Sequence, residues 1–378
     1  MNRKARIPAA VIGLALLVGV VTAGASSAQT SPSGGGSASE AKSTFIYADT
    51  SEPTSLNPLK GYTGTDYYIW AMSYDLPLNF ATADFSPQPA LVTSIDADPD
   101  GIHFTYHLRE GVKWSDGQPF SAEDFAWTLN FYKDNNISNY SSDLALFDSA
   151  KVVDQNTVEL TATQPTSIYS GNNVYMYEYI LPKHIWGKWE NDPAAAKQYD
   201  NVPSIGTGPY YIKSYTSGQS VVMARNPYYW GPAPHYDQII YRIFNNEDAE
   251  AQALRSGEIQ FIYDLSSANI LNQLSKDPNV ETRGANIPAF DEIGMNTGSA
   301  YYPKTDDYIP HGDGAHALTD VNVRRAIRMA IDSQALVDKV LLGYGTPGDT
   351  IVPPTSIPGA KWTPSGSGFG SHPQSYMS

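Results

Sequence analysis

The sequence predicts a mixed α/β fold from three local patterns. Ile102, Phe104, Tyr106 and Leu108 alternate with His103, Thr105, His107 and Arg109, the period of two that marks a strand with one apolar face. Ser115-Asp116-Gly117-Gln118 then reads as a turn, and Ser121-Ala122-Glu123-Asp124 can cap a helix whose Phe125, Leu129 and Tyr132 fall on one side. From Pro203 onward, Gly206-Thr207-Gly208-Pro209-Tyr210 precedes strand-like runs over 211–215, 221–224 and 238–244. A helix follows over 248–255, Gly257 can supply its left-handed cap, and strand resumes over 258–265. A chain of 378 residues that is 41% apolar can bury a substantial core, and two domains are the expectation at this length.

Arg3, Lys4 and Arg6 precede an apolar run over 7–23 and the small residues Ala23-Gly24-Ala25 and Ser26-Ser27-Ala28, the layout of a secretory signal peptide. Cleavage is expected after Ala25 or Ala28, and the alternative is an uncleaved membrane anchor, because the run approaches bilayer-spanning length. Either way the folded part is expected outside the cytoplasm. Residues 29–43, rich in Ser, Gly and Ala, read as a flexible linker. Phe45-Ile46-Tyr47-Ala48 reads as an edge strand entering a Pro-bounded loop, Ser51-Glu52-Pro53-Thr54-Ser55-Leu56-Asn57-Pro58. Val323, Ile327, Ala330 and Ile331 define one helical face, and Ala335, Val337, Val340 and Leu341 continue apolar burial to Gly343, which predicts a helix over 321–342. Beyond Gly343 the pattern fades into Pro, Gly and Ser, and no internal repeat points to a solenoid or propeller.

Asp plus Glu number 39 against 24 Lys plus Arg, a net charge of -15 that repels phosphate and argues against nucleic acid as a partner. The count of zero cysteines removes thiol catalysis, thiolate metal sites and disulfides. Asp96-Ala97-Asp98-Pro99-Asp100-Gly101 copies the opening of an EF-hand calcium loop, yet His107 stands where the closing Glu belongs and a strand follows, so a plain acidic hairpin turn is the better reading. His311-Gly312-Asp313-Gly314-Ala315-His316 offers imidazoles and a carboxylate on a glycine-rich stretch with no rigid face, and reads as an exposed polar loop. Metalloprotease, nucleophile-elbow and phosphate-loop signatures are missing. Adjacent acids such as Glu123-Asp124 and Asp306-Asp307 read as solvated charge, while a glycosidase stays open because its carboxylates need not be close in sequence. Of the 26 tyrosines core packing explains many, whereas those in Gly61-Tyr62-Thr63-Gly64-Thr65-Asp66-Tyr67-Tyr68 and similar polar stretches are harder to bury and suit a site for extended or sugar-like ligands.

The stretch from Phe104 through Arg109-Glu110-Gly111-Val112-Lys113-Trp114-Ser115-Asp116-Gly117-Gln118-Pro119-Phe120 to Phe125 resembles the signature of the extracytoplasmic solute-binding proteins of family 5, which include the dipeptide- and oligopeptide-binding proteins of ABC importers. Further blocks follow the family's order: Ser55-Leu56-Asn57-Pro58, Leu181-Pro182-Lys183-His184 with Gly206-Thr207-Gly208-Pro209-Tyr210, Asn226-Pro227-Tyr228-Tyr229-Trp230 leading to Leu254-Arg255-Ser256-Gly257-Glu258-Ile259, and Asp320-Val321-Asn322-Val323-Arg324-Arg325-Ala326. The resemblance runs from about Phe45 to Pro354 and rests mainly on turns, caps and packing faces.

The resemblance implies a two-lobed periplasmic-binding-protein-like α/β fold of type II with an extra subdomain, closing on its ligand like a hinged clam. On this reading residues 1–28 are a signal peptide, 44–75 and 201–290 the two segments of lobe I, 76–200 its extra subdomain, and 291–378 the start of an incomplete lobe II. It implies no catalytic residue, metal or cofactor, a peptide ligand, an ABC permease with its ATPase subunits as partner, and a monomer. Tyr62, Thr63 and Gly64 fall on the family's ligand-facing loop, Tyr140 on the subdomain's contribution, and Tyr263 and Asp264 on the strand end facing the cleft. The chain departs from the family in lacking a lipid-modified cysteine after the leader, so retention calls for an uncleaved leader or a periplasm. The tail over 363–371 does not resemble the family, and the acid that holds a peptide's amino terminus is expected beyond the end of this chain. A fragment or truncated gene product is therefore expected, with helix 321–342 short of part of its packing surface. Other expectations are a binding protein for oligosaccharides or nickel complexes and, from another class, a secreted carbohydrate-active enzyme.

Overall fold

The computed structural model describes residues 43–80, 87–137, 144–167, 169, 178–283, 292–295, 299–302, 307–310 and 315–348. They form two compact units, one up to Tyr263 and one from Asp264 onward. The first unit begins with β1 (Thr44–Asp49), α1 (Gly64–Ser73), β2 (Leu78–Phe80), β3 (Pro87–Pro89), β4 (Val92–Ala97), β5 (His103–Leu108), α2 (Ala122–Asn135), β6 (Phe147–Asp154) and β7 (Thr157–Ala162). It continues through the short helices α3 (Lys183–Trp186) and α4 (Pro193–Ala196) to β8 (Tyr210–Thr216), β9 (Ser220–Arg225), β10 (Gln238–Ile243), α5 (Glu247–Ser256) and β11 (Phe261–Ile262).

Two sheets organise this unit: five strands in the order β11-β1-β10-β9-β8, and four in the order β4-β5-β7-β6. β5 buries Phe104, Tyr106 and Leu108, as its alternation predicts, and α2 buries Phe125, Leu129 and Tyr132. The Ser121 amide and hydroxyl both donate to the Asp124 carboxylate at the start of α2. α5 starts on Asn246, whose side chain accepts from the Ala249 amide, and ends at Gly257 with φ 76°, the left-handed cap that glycine adopts without steric penalty.

Two expectations change here. β1 is no edge strand; it lies between β10 and β11 and is parallel to both. An unbroken apolar run such as Phe45-Ile46-Tyr47-Ala48 is what a strand covered on both faces looks like. The strand expected over 258–265 shrinks to Phe261–Ile262. Before it, the Gln260 backbone amide donates to the Ile46 carbonyl, and the Gln260 side-chain oxygen accepts from the Ile46 amide, so a side chain completes a ladder that backbone geometry leaves short.

Helix α1 lies against two hydrophobic clusters. Ile69 packs with Tyr47, Ile212, Val221, Met223 and Tyr241 of the five-stranded sheet. Tyr67, Trp70 and Tyr74 join the larger cluster around Phe104, Trp114, Phe125 and Tyr179. The turn over 206–208 presses on the end of α1 so closely that a Cβ on Gly206 would lie 1.8 Å from the Ser73 carbonyl oxygen, and one on Gly208 2.6 Å from that of Met72. The glycines of the Gly206-Thr207-Gly208 block therefore serve a backbone contact, which the Gly208 amide completes with a bond to the Ser73 carbonyl.

Just beyond α1, Asp75 is buried and accepts a 2.7 Å bond from the Trp230 indole N–H, while the Arg109 guanidinium lies 4.1 Å over the Trp230 ring. Arg109 also bonds the Ala90 carbonyl, so residues from the α1 exit, the end of β5 and the Asn226-to-Trp230 block meet at one point.

In the second unit α6 (Ala268–Leu274) is followed by the antiparallel pair β12 (Ser299–Tyr302) and β13 (Asp307–Pro310), then α7 (Ala315–Thr319), α8 (Val321–Ala330) and α9 (Ser333–Lys339). The single helix expected over 321–342 is two helices. Ile331 leaves helical conformation, and Asp332 caps α9 by accepting from the Ala335 amide. The apolar periodicity runs on across Asp332-Ser333, which is why the break escaped it, although the pair is itself a helix-start signal. No residue of α8 is buried, and Val337 is the buried residue of α9. Among the described residues no helix is long and apolar enough to cross a membrane; the apolar run over 7–23 lies outside them.

Burial pushes the Asp75 carboxyl up to about 6, against the opposing pull of the Trp230 indole, the Thr207 hydroxyl and the Arg109 charge. The folded protein thus holds this proton to higher pH than the unfolded chain. The group's contribution to stability is most favourable below about pH 4 and declines as pH rises through 6. Asp75→Asn, which keeps an acceptor for Trp230, should gain on the wild type by roughly 1–3 kcal/mol of unfolding free energy between pH 4 and 7.5. Urea titrations at both pH values test this, and identical pH slopes for the two proteins would refute it.

Candidate functional site

The parallel strands β1, β10 and β11 end at a common edge of the five-stranded sheet, and in open α/β sheets ligands bind outside the carboxyl ends of the strands. The chain leaves β1 there through the loop that leads to α1. Asp66, fully buried in the first turn of α1, holds that loop. Its carboxylate accepts from the Thr54 hydroxyl at 2.6 Å, the Tyr62 and Thr63 amides at 2.9 Å and the Ser55 amide at 3.2 Å. Thr63 returns the contact by accepting from the Asp66 amide, which makes a reciprocal cap. Gly61 fits because a Cβ would stand 2.7 Å from the Trp70 ring and 2.8 Å from the Asp66 carboxylate.

The other side of the loop is tied to the β8–β9 turn through Glu52, which accepts from the Tyr215 hydroxyl at 2.5 Å and from the Ser217 hydroxyl and Gly218 amide at 2.8 Å. The Tyr215 bond, followed by the other two, holds the Glu52 carboxyl below its usual range. Where β1 ends, burial raises the Asp49 carboxyl, although the Ser51 amide donates to it at 2.9 Å. The Tyr241 hydroxyl donates to the Ser51 carbonyl, and the Tyr47 hydroxyl is buried without a partner among the described residues.

Of the residues singled out from the sequence, Tyr62 projects into solvent, 72% exposed. Thr63 is the N-cap of α1 and Gly64 its first residue, so both shape the loop. Tyr263 follows β11, and its ring lies 4.2 Å from that of Tyr68, one turn along α1 from Gly64. The loop and the β11 end thus meet at the N-terminal half of α1. Asp264, half-buried, opens the second unit. Tyr140 lies outside the described residues, as do His311 and Asp313.

Sequence reasoning missed the parts played by Asp66 and Asp49. The spacing Thr63-x-x-Asp66 carried a readable capping signal. Tyr67 and Tyr68, read as residues of a polar loop, are instead 8% and 7% exposed within α1.

Asp98, Asp100 and His103 form a group whose ligand atoms lie within 4.8 Å of one another. Asp100 already accepts from the Ile102 amide at 2.7 Å and pairs with His103 at 2.8 Å, and Asp96 pairs with His107 at 2.9 Å. The Ile102 bond leads in lowering the Asp100 carboxyl, and the Asp100 bond raises His103. These are the pairings of an acidic β4–β5 hairpin. The buried carboxylates of Asp49, Asp66, Asp75 and Asp124 all accept N–H donors within the fold, which suits them to positioning. The surface they position offers exposed tyrosines and loop backbone, the equipment of binding.

The family model described as "Bacterial extracellular solute-binding proteins, family 5 Middle" matches residues 86–370. Protein XP55 of Streptomyces lividans is 30% identical over 311 residues, 82% of this chain and 52% of that protein. The dipeptide-binding protein of Escherichia coli K12 is 24% identical over 331 residues, 82% of this chain and 58% of its own length. The chain therefore spans about half the length of the curated relatives it matches. Among solved structures, the dipeptide binding protein of Pseudoalteromonas sp. SM9913 in complex with Met-Leu gives a TM-score of 0.67 at 22% identity, covering 83% of this chain and 62% of that one. NikZ from Campylobacter jejuni in complex with Ni(L-His) gives 0.62 at 20% identity, covering 82% and 57%. These likenesses show the fold, the α/β architecture of the two-lobed periplasmic binding proteins.

Asp66→Asn leaves one oxygen for donors that now occupy two, and sets an NH₂ against backbone N–H groups. It should lower stability by roughly 2–4 kcal/mol and speed hydrogen exchange at the Tyr62 and Thr63 amides. Unchanged exchange at those amides would mean that the loop does not hang on Asp66.

Proposed function

We propose a function from one premise: the chain belongs to the bacterial extracellular solute-binding proteins of family 5. It is the substrate-capturing component of an ABC importer, it takes di- and oligopeptides, and it hands them to a membrane permease driven by ATPase subunits. The observation that carries the solute class is that several of the relatives are named for peptides, with the Escherichia coli protein a dipeptide-binding protein and the Pseudoalteromonas structure holding Met-Leu. The site agrees with that reading. An extended peptide offers main-chain donors and acceptors common to every sequence, and a strand-end loop with exposed Tyr62 and Tyr263 offers backbone and amphipathic rings to meet them. Capture without turnover follows, with no catalytic residue, metal or cofactor required. Export by the leader over 1–28 puts the protein outside the cytoplasm, where such a solute is met.

A second reading has its own support. The NikZ structure holds Ni(L-His), so a small chelate is the competing solute on the same fold.

Thermal melts of the full chain with Met-Leu, with a tetrapeptide mixture and with nickel-histidine, each in separate wells, decide between them. A solute at about 100 times its dissociation constant adds roughly 2.7 kcal/mol to a cooperative fold. The peptide wells should melt higher and the nickel-histidine well should not. A shift with nickel-histidine alone would overturn the peptide reading.

A further inference from the structure

The register of β11 against β1 sets Phe261 level with Tyr47, and Tyr263 follows two residues on, so both rings stand on the face of the sheet that carries α1. Ile69 of α1 packs on Tyr47, which is 3% exposed. β11 is the outer strand among the described residues, and Phe261 beside Tyr47 is 47% exposed. Phe45, Phe104 and Phe147, on β1, β5 and β6, are buried or half-buried. A tyrosine at position 261 would have a hydroxyl to hydrate; phenylalanine has none, so its ring is apolar surface that the described fold leaves open. That ring meets Tyr263 edge to face, 6.4 Å between centroids at 81°, and Tyr263 in turn lies against Tyr68 of α1. The three rings make a shelf continuous with the strand-end site, with Tyr68 ending the row inside the fold and Phe261 ending it in solvent.

We propose that this shelf receives a large apolar side chain of the captured peptide and that Phe261 sets the preference for one. The preference presupposes the peptide reading above, in which main-chain contacts are blind to side chains. Phe261 lies two residues, about 7 Å, behind the position of Tyr263 at the strand end. A phenylalanine or leucine side chain reaching back from a peptide at that end approaches the ring, and an alanine methyl does not. The edge-to-face pairing with Tyr263 leaves Phe261 free to take a third ring in the same manner. An apolar chain laid there removes water from both surfaces, whereas a charged one loses hydration and finds no partner on the rings.

Isothermal titration calorimetry of the full chain with Ala-Ala, Ala-Phe and Phe-Ala tests this. One of the two Phe-containing dipeptides should bind the wild type about tenfold more tightly than Ala-Ala. That ratio should fall to near one in Phe261→Ala and equally in Phe261→Thr, which keeps a strand-favouring residue should alanine unsettle β11. Phe261→Leu should keep most of it. Tyr228→Ala, which removes a similarly exposed ring between β9 and β10, should leave it unchanged. Binding of none of the three by the wild type overturns the preference together with dipeptide capture. Equal binding of all three, a wild-type ratio in Phe261→Ala or Phe261→Thr, or its loss in Tyr228→Ala leaves peptides as the solute and overturns the role of Phe261.

Discussion

Helix α1 is covered on nearly every side, and the first unit is arranged to make that possible. The helix's ten residues, Gly64 to Ser73, and the capping Tyr74 touch the five-stranded sheet through Ile69 and the aromatic cluster through Tyr67, Trp70 and Tyr74. A helix so enclosed has little surface on which to satisfy its ends with water, so both termini are closed by protein groups. The Thr63–Asp66 cap closes the first, and the turn at Gly206-Thr207-Gly208 closes the second by backbone contact that only glycine permits. The tyrosine wealth follows from the same demand. Tyr67, Tyr74, Tyr132 and Tyr179 fill a thick core with rings, and the hydroxyls of three donate within it: Tyr132 to the Tyr179 carbonyl, Tyr179 to the Tyr67 carbonyl and Tyr74 to the Asn201 side-chain oxygen.

That enclosure also explains what could be read from the sequence and what could not. β5 and α2 each face a core on one side, so their apolar residues alternate or recur at helical spacing and their limits are plain. α1 has no polar face, so it carries no period to detect, and its tyrosines read as loop residues. β1 differs from the expected edge strand for a related reason: an all-apolar run does not say how many strands flank it. β11 is shorter than expected because Glu258 to Leu265 is composed like a strand, while its pairing is set by a distant partner, Ile46, and by one glutamine side chain. Of the candidate site, Tyr62 and Tyr263 came from family likeness, and the contact of Tyr263 with Tyr68 came from the structure.

The loop over 50–63 combines rigidity with exposure. Its anchors are buried or bonded at Asp66 and Glu52, and between them Tyr62 is left outward. A binding surface built this way loses little conformational freedom when a solute arrives, because ordering was completed on folding. On the proposed function, this separates ligand choice from fold maintenance. The anchors answer to the scaffold, and the exposed rings can change without disturbing it.

The meeting of Asp75, Arg109 and Trp230 bears on how such a chain can diverge. The three positions are far apart in sequence, yet each completes the others' buried environment: indole for carboxylate, guanidinium for ring and charge. Replacing Trp230 or Arg109 alone takes a partner from the buried Asp75 carboxyl, whereas replacing Asp75 by an apolar residue leaves the indole N–H without its acceptor. Replacing all three at once is neutral in principle but demands several simultaneous mutations. A lineage is therefore held at this node by the depth of the intermediate states, and the node can persist through drift that erases most of the surrounding sequence whether or not it ever touches a solute.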